Sequence, residues 1–247
     1  MQSVTAIEAT GLSKRYGALA VTQDVSFALE PGHTLGVIGP NGAGKTTLFN
    51  LLTGTVRSDA GSIRLGGRDI SALDARARCR MGIARSFQVP QPFSGLTVFE
   101  NVLVAATFGQ GISEQAARAH AEDALRQTGL WLKAMKKASE LGLLDRKRLE
   151  LARSIATAPK LLLLDEIAGG LTDVECVELI QLIHSLKQSG VTIIWIEHIL
   201  HALLSVADRV MVLDFGQKIA EGDPQEIMQS PEVAAIYLGL KGPKADA

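Results

Sequence analysis

Aromatic residues make up only 4% of these 247 residues, and there are two cysteines. Cys79 and Cys176 stand far apart, with no companion at metal-ligand spacing, which argues against a disulfide framework or a cysteine-based metal centre. An excess of one charge is also missing. Lys+Arg total 25 against 26 Asp+Glu, a formal net charge of −1, so the bulk charge offers no basic face for nucleic acid. No apolar stretch approaches the ~18 residues of a membrane span, and no basic opening runs into a long apolar segment as in a signal peptide. We expect a soluble chain, or one held at a membrane only through a partner. Repeats and low-complexity linkers are lacking too. What remains is 47% hydrophobic and 21% charged, a globular composition. Its length suits one large α/β domain or one domain carrying an inserted lobe.

One stretch stands out from that background. Gly39-Pro40-Asn41-Gly42-Ala43-Gly44-Lys45-Thr46-Thr47 follows the apolar run Thr34-Leu-Gly-Val-Ile38 and precedes Leu48-Phe-Asn-Leu-Leu52. It reads as strand, glycine-rich loop and helix start, the setting in which a phosphate loop works. Gly39, Gly42 and Gly44 let the main chain turn its N–H groups inward and approach phosphates that a Cβ would obstruct. The helix opening near Lys45 adds the positive end of its dipole. Lys45 then reaches the β- and γ-phosphates as a point charge, and the Thr46 hydroxyl ligates Mg²⁺. A chance match in a glycine-rich turn is the competing reading, disfavoured by the flanking strand and helix.

Along the chain, residues up to about 88 carry short β-type runs (Ala6 to Ala9, Val25 to Leu29, Thr34 to Ile38, Ser62 to Leu65) punctuated by turn signals. The helix after the loop should end at Thr53-Gly54, with Gly54 as a left-handed cap. From about 89 to 155 the pattern is helical and rich in Ala, Leu, Glu, Lys and Arg, as in an inserted helical lobe. Strand–helix alternation returns with Leu161 to Asp165, an apolar run suited to a strand buried on both faces. A helix follows with Cys176, Leu179, Ile183 and Leu186 on one face, then strands at Val191 to Ile196 and Arg209 to Asp214. A helix opening at Ser230-Pro231 closes the pattern.

A buried strand ending in Asp165-Glu166 exposes both acids at its carboxyl edge, where ligands bind in open α/β sheets. Asp165 is placed to hold Mg²⁺, and Glu166 to polarise the water that attacks a γ-phosphate. The bland alternative is two acids that solubilise a strand end. Gln88 and His198 also terminate apolar segments. Either alone reads as a turn or surface residue; beside a phosphate loop, Gln88 can report Mg²⁺ and γ-phosphate, and His198 can donate to a γ-phosphate oxygen.

Together these motifs resemble the ATP-binding cassette (ABC) ATPases over nearly the whole chain. Tyr16 sits where that family stacks an aromatic on adenine, Gln88 matches the Q-loop, Asp165 and Glu166 the Walker B element, and His198 the switch histidine. More narrowly, Leu96-Thr-Val-Phe-Glu-Asn-Val-Leu-Val-Ala105, Ala156-Thr-Ala-Pro-Lys-Leu-Leu-Leu-Leu-Asp-Glu166, Trp195-Ile-Glu-His198 and Ile236-Tyr-Leu-Gly239 resemble the larger ATPase subunit of importers for branched-chain and other hydrophobic amino acids. The resemblance implies a RecA-like α/β P-loop core with an N-terminal antiparallel β portion at residues 1–88 and 156–225. It places an inserted helical lobe at 89–155 and a C-terminal helical tail at 226–247. Implied cofactors are ATP and Mg²⁺, with Thr46, Gln88 and Asp165 as metal partners and Lys45, Gln88, Glu166 and His198 in catalysis. Implied partners are a second ABC ATPase, two membrane permease subunits and, indirectly, a periplasmic substrate-binding protein, with the chain on the cytoplasmic face of the membrane. Permease contact is expected around Val89-Pro-Gln-Pro-Phe93.

Several positions depart from the family pattern. The signature loop falls at Leu141-Gly-Leu-Leu-Asp145, where Leu-Ser-Gly-Gly-Gln is usual. Gly142 removes a serine hydroxyl, Leu143 and Leu144 replace glycines, and Asp145 brings a negative charge toward phosphate. Gly169-Gly-Leu-Thr172 lacks the usual D-loop aspartate. A nucleotide-dependent dimerisation switch with weak hydrolysis is the alternative to a transport engine. A cassette acting on ribosomes or DNA is disfavoured, since no coiled-coil insertion or basic stretch is present.

Overall fold

The computed structural model describes residues 5–237; the ending Leu238-Gly239 of the C-terminal motif lies outside them. The chain builds two sheets. In the first, β1 (Ile7–Tyr16), β2 (Leu19–Leu29), β4 (Ala60–Leu65) and β5 (Arg68–Asp69) pair antiparallel in the order β2-β1-β4-β5. The second contains β3 (Thr34–Ile38), β6 (Ile83–Ser86), β7 (Leu161–Asp165), β8 (Thr192–Ile196), β9 (Arg209–Asp214) and β10 (Gln217–Gly222), in the order β10-β9-β3-β8-β7-β6. Its strands run parallel except for the β9–β10 hairpin. Every residue of β3, β7 and β8 is buried, as near-continuous apolar strands covered on both faces must be.

The apolar runs located these strands but not their lengths. β1 continues through Thr10 to Tyr16, a polar stretch kept in the sheet by pairing with β2, with register shifts between Ala9 and Leu12. The short helix α2 (Ala75–Arg80) and strand β10 had no strong sequence signal. The α1 helix (Lys45–Thr53) ends at Gly54, whose φ of 75° is the left-handed cap expected. From α2, buried Arg78 donates through Nη1 to the carbonyls of Leu51 and Leu52 at 2.6 and 3.0 Å. That satisfies carbonyls at the end of α1 and places positive charge at the negative end of its dipole.

Between β6 and β7, helices α3 (Val98–Gln110), α4 (Glu114–Gln127) and α5 (Leu143–Ile155) pack around their own cluster of small and branched residues, including Val98, Ala117, Ala121 and Leu149. Helix α3 starts in a capping box formed by Thr97 and Glu100. Helix α6 (Asp173–Gln188) starts in another, from Thr172 and Glu175, and buries Cys176, Leu179, Ile183 and Leu186. Helices α7 (Leu200–Val206), α8 (Pro224–Gln229) and α9 (Pro231–Tyr237) complete the described chain. Among the described residues no helix is long and apolar enough to cross a membrane.

Candidate functional site

Parallel strands leave the sheet at one edge, and that edge gathers the motifs. The glycine-rich loop follows β3, Gln88 follows β6, Glu166 follows β7, and Glu197 and His198 follow β8. Neighbouring strands lie about 4.8 Å apart. The order β3-β8-β7-β6 therefore sets His198, Glu166 and Gln88 in sequence away from the loop.

The three loop glycines answer to different demands. A Cβ on Gly39 would lie 2.1 Å from the Leu213 carbonyl oxygen of β9, and one on Gly44 would lie 2.5 Å from that of Val21 in β2. These two glycines admit neighbouring main chain, a demand on them that the sequence alone did not reveal. Gly42, with φ +84°, meets nothing within 4 Å and faces open space. That space is a cavity of about 190 Å³ lined by residues 41–47, Val21 and Glu166. A larger groove, about 860 Å³, lies at the opposite ends of the strands beside Pro31, Lys160 and Thr192, away from these groups.

Lys45 folds back over its own loop, its Nζ donating to the carbonyls of Gly39 at 2.7 Å and Pro40 at 3.0 Å. An ammonium has three donors, so one is left for an incoming oxygen. Burial holds the Lys45 pKa below its ordinary value, while the charges of Glu166 and Asp165 pull the other way. An anionic phosphate would strengthen that upward pull.

Glu166 has φ +45°, a left-handed conformation uncommon for a residue with a Cβ and held here by surrounding contacts, among them its N–H donating to the Ile196 carbonyl at 2.8 Å. Gln88 Nε2 donates to Glu166 Oε2 at 2.6 Å, and His198 Nδ1 stands 3.8 Å from the same oxygen. The imidazole is largely exposed, whereas Glu197 beside it is buried and accepts from the N–H groups of Ala168, His198 and Ile199. Those bonds fix the turn that presents His198. Asp165 is 7% exposed and ion-paired with Arg85. Tyr16, at the tip of the β1–β2 hairpin, is half-exposed with Lys14 Nζ 5.7 Å from its ring centre, and does not line the phosphate cavity.

Gln88, Glu166 and His198 are thus brought together, next to Lys45 and Asp165. Sequence reasoning gave no role to Arg85 or Glu197. Their signals were an arginine within the apolar run Ile83–Phe87 and an acid directly after the fully buried β8. In the atypical signature segment, Gly142 caps α5 without a side-chain bond and Leu143 is 45% exposed. Asp145 pairs with Lys133 at 2.5 Å, so its charge is partly met within the chain.

Among the described residues no three His, Cys, Asp or Glu side chains cluster as a metal cage. Asp165 offers a buried carboxylate, and Thr46 and Gln88 a hydroxyl and an amide oxygen from the segments after parallel strands of the same sheet, a sparse oxygen set that suits Mg²⁺, which keeps waters and takes most of its ligands from phosphates.

Residues 22–169 match the family model described as ABC transporter, and residues 217–239 match that of the branched-chain amino acid ATP-binding cassette transporter. The chain is 38% identical over 244 residues to the high-affinity branched-chain amino acid transport ATP-binding protein LivG of Salmonella typhimurium, covering 93% of this chain and 96% of that protein. It is also 36% identical over 234 residues to the lipopolysaccharide export system ATP-binding protein LptB of Acidithiobacillus ferridurans, so identity over the cassette does not by itself distinguish cargoes. Among solved structures, the ADP conformation of MJ1267, an ATP-binding cassette of an ABC transporter, superposes with a TM-score of 0.87 at 29% identity, over 95% of this chain and 99% of that one. Sheet order, strand-edge motifs and these matches converge: the chain belongs to the ABC transporter family, as one of its ATP-hydrolysing cassette subunits.

Proposed function

We propose that this subunit hydrolyses ATP with Glu166 as general base, powering uptake of branched-chain or other hydrophobic amino acids through two membrane permeases from the cytoplasmic face of the membrane. The observation that carries the chemistry is Glu166 lining the Lys45 cavity, with Gln88 Nε2 donating to its carboxylate at 2.6 Å and His198 Nδ1 between it and Glu197, at 3.8 and 3.3 Å. The loop and Lys45 hold the phosphates, Tyr16 is offered to adenine, and Glu166 takes the proton of the attacking water. Gln88 orients the Glu166 carboxylate, and His198 donates to the γ-phosphate oxygen that gains charge in the transition state. Thr46, Gln88 and Asp165 would hold Mg²⁺, which when bound neutralises charge on the β- and γ-phosphates. Residues 89–155 form the lobe that meets the permeases; Val89 and Phe93 at its start, and Phe87 just before it, are exposed.

The amino-acid cargo is supported by the match of residues 217–239 to the branched-chain amino acid cassette model and by the identity to LivG. The test is reconstitution with candidate permease subunits and a substrate-binding protein from the same organism. ATP-dependent accumulation of labelled leucine, isoleucine or valine is expected. Assembly of an active transporter that moves none of these would remove the cargo assignment and leave the ATPase standing.

A further inference from the structure

Asp165 is anchored by a side chain outside the usual nucleotide motifs. Arg85, on β6, donates through Nη2 to Asp165 Oδ2 at 2.5 Å and through Nη1 to Asn50 Oδ1 at 2.6 Å. The ion pair is nearly dry, with side-chain exposures of 8% for Arg85 and 10% for Asp165. The guanidinium lies 5.5 Å from the ring centre of Phe49 and 5.1 Å from that of Phe87. The Arg85 main-chain carbonyl accepts from Ser154 Oγ of α5 at 3.0 Å. One residue therefore joins the loop helix α1, the strand carrying Asp165 and the helical lobe. Among the described residues Asp165 Oδ1 takes no side-chain hydrogen bond.

We propose that Arg85 is a positioning residue for divalent-cation binding, holding one oxygen of Asp165 so that the other stays aimed at the metal site. The inference rests on the reading of Asp165 as a Mg²⁺ partner. A planar guanidinium can span two acceptors in fixed geometry, as a compact ammonium cannot. Without it, a buried carboxylate has lost its partner, and the Lys45 ammonium is the cation left nearby, already coupled to Asp165 by charge. An Asp165 drawn toward Lys45 no longer presents an ordered oxygen to a cation. Asn50 fixes the other end of the fork, so its loss should act in the same direction and more weakly.

The test measures ADP binding to the purified full chain by calorimetry, first in EDTA and then across a MgCl₂ titration. For Arg85→Gln we expect ADP affinity in EDTA within about threefold of wild type, while the Mg²⁺ concentration giving half-maximal tightening rises about tenfold. Asn50→Ala should raise it about threefold. A Mg²⁺ midpoint within twofold of wild type in folded Arg85→Gln overturns the inference. So does an equal loss of ADP affinity with and without Mg²⁺, since that marks general damage to the fold. If Arg85→Gln does not fold, Arg85→Lys, which keeps the charge and loses the fork, decides: a rise of threefold or more supports the role and an unchanged midpoint refutes it. Wild-type chain whose ADP affinity ignores Mg²⁺ would instead refute the underlying metal reading.

Discussion

Gln88 and Glu166 are 78 residues apart in sequence, yet Gln88 Nε2 donates to Glu166 Oε2 at 2.6 Å. The bond joins the segment leading into the helical lobe to the carboxylate beside the phosphate cavity. That segment is also tied to α5: Arg153 Nη1 reaches the Gln91 carbonyl at 3.1 Å and Glu150 at 2.9 Å, and Ser154 holds the Arg85 carbonyl. A shift of α5 relative to the sheet therefore pulls on Gln88, and through it on Glu166. If the lobe meets a permease as proposed, that contact would have a route through α5 and Gln88 to Glu166.

The loop glycines separate folding from binding. Gly39→Ala forces a Cβ against main-chain oxygen, which cannot swing aside, and should destabilise the chain by about 3 kcal/mol or more. Gly42→Ala meets open space and should cost only about 1 kcal/mol for its φ, while weakening nucleotide binding. Denaturant unfolding of both variants, with ATP titration of Gly42→Ala, checks the contrast.

Lys45→Ala removes the one loop ammonium with a donor left for phosphate. Charge-assisted bonds contribute roughly 1.5–3 kcal/mol, so ATP affinity should fall about ten- to a hundredfold. Calorimetric titration measures it; unchanged affinity would take Lys45 out of the site.

Buried Glu150 gives a pH signature. Desolvation raises its pKa, opposed by Arg153 and by the N–H of Phe87. A carboxyl whose folded pKa lies above its unfolded one contributes stability below the unfolded value, lost as pH rises through the folded value. Acidification from pH 7 toward the ordinary carboxylate range should therefore favour wild type over Glu150→Gln. Melting temperatures of the two at pH 7 and pH 5 test this: the difference, wild type minus variant, should grow more positive at pH 5.

How much of this was legible in the sequence depends on whether the information is contiguous. The loop from Gly39 to Thr47, the buried strand ending in Asp165 and the apolar face of α6 each lie in one short stretch, and the structure has them as elements where the residue pattern put them. The Gln88–Glu166 bond was not legible, because it depends on β6 and β7 being neighbours in a sheet whose order differs from chain order. Nor was the left-handed Glu166 backbone, which long-range packing imposes. Arg85 was visible only as a charge in an apolar run. Gly39 and Gly44 were recognised, but the atoms that require them, Leu213 O and Val21 O, belong to distant strands.

The signature segment bears on partnership. In a head-to-tail pair each ATP lies between one chain's phosphate loop and the other chain's signature loop. Here α5 begins at Leu143 directly after Gly142, with neither a serine hydroxyl nor a paired glycine to offer. A second cassette with an intact Leu-Ser-Gly-Gly-Gln loop would complete the site built on Lys45, Glu166 and His198, leaving the opposite site weak. Glu166→Gln should then stop turnover of the assembled transporter, while the matching substitution in the partner should be milder. The reverse ranking, or efficient transport by a homodimer of this chain, would sink the asymmetric arrangement.

The most direct measurement is steady-state phosphate release by Glu166→Gln in the assembled complex, beside ATP binding by the same preparation. With Glu166 as the proposed general base, acting in the chemical step, turnover should drop by about 10²-fold or more while ATP affinity stays within about threefold of wild type. Hydrolysis at the wild-type rate by Glu166→Gln, with contaminating ATPases excluded, would contradict the account.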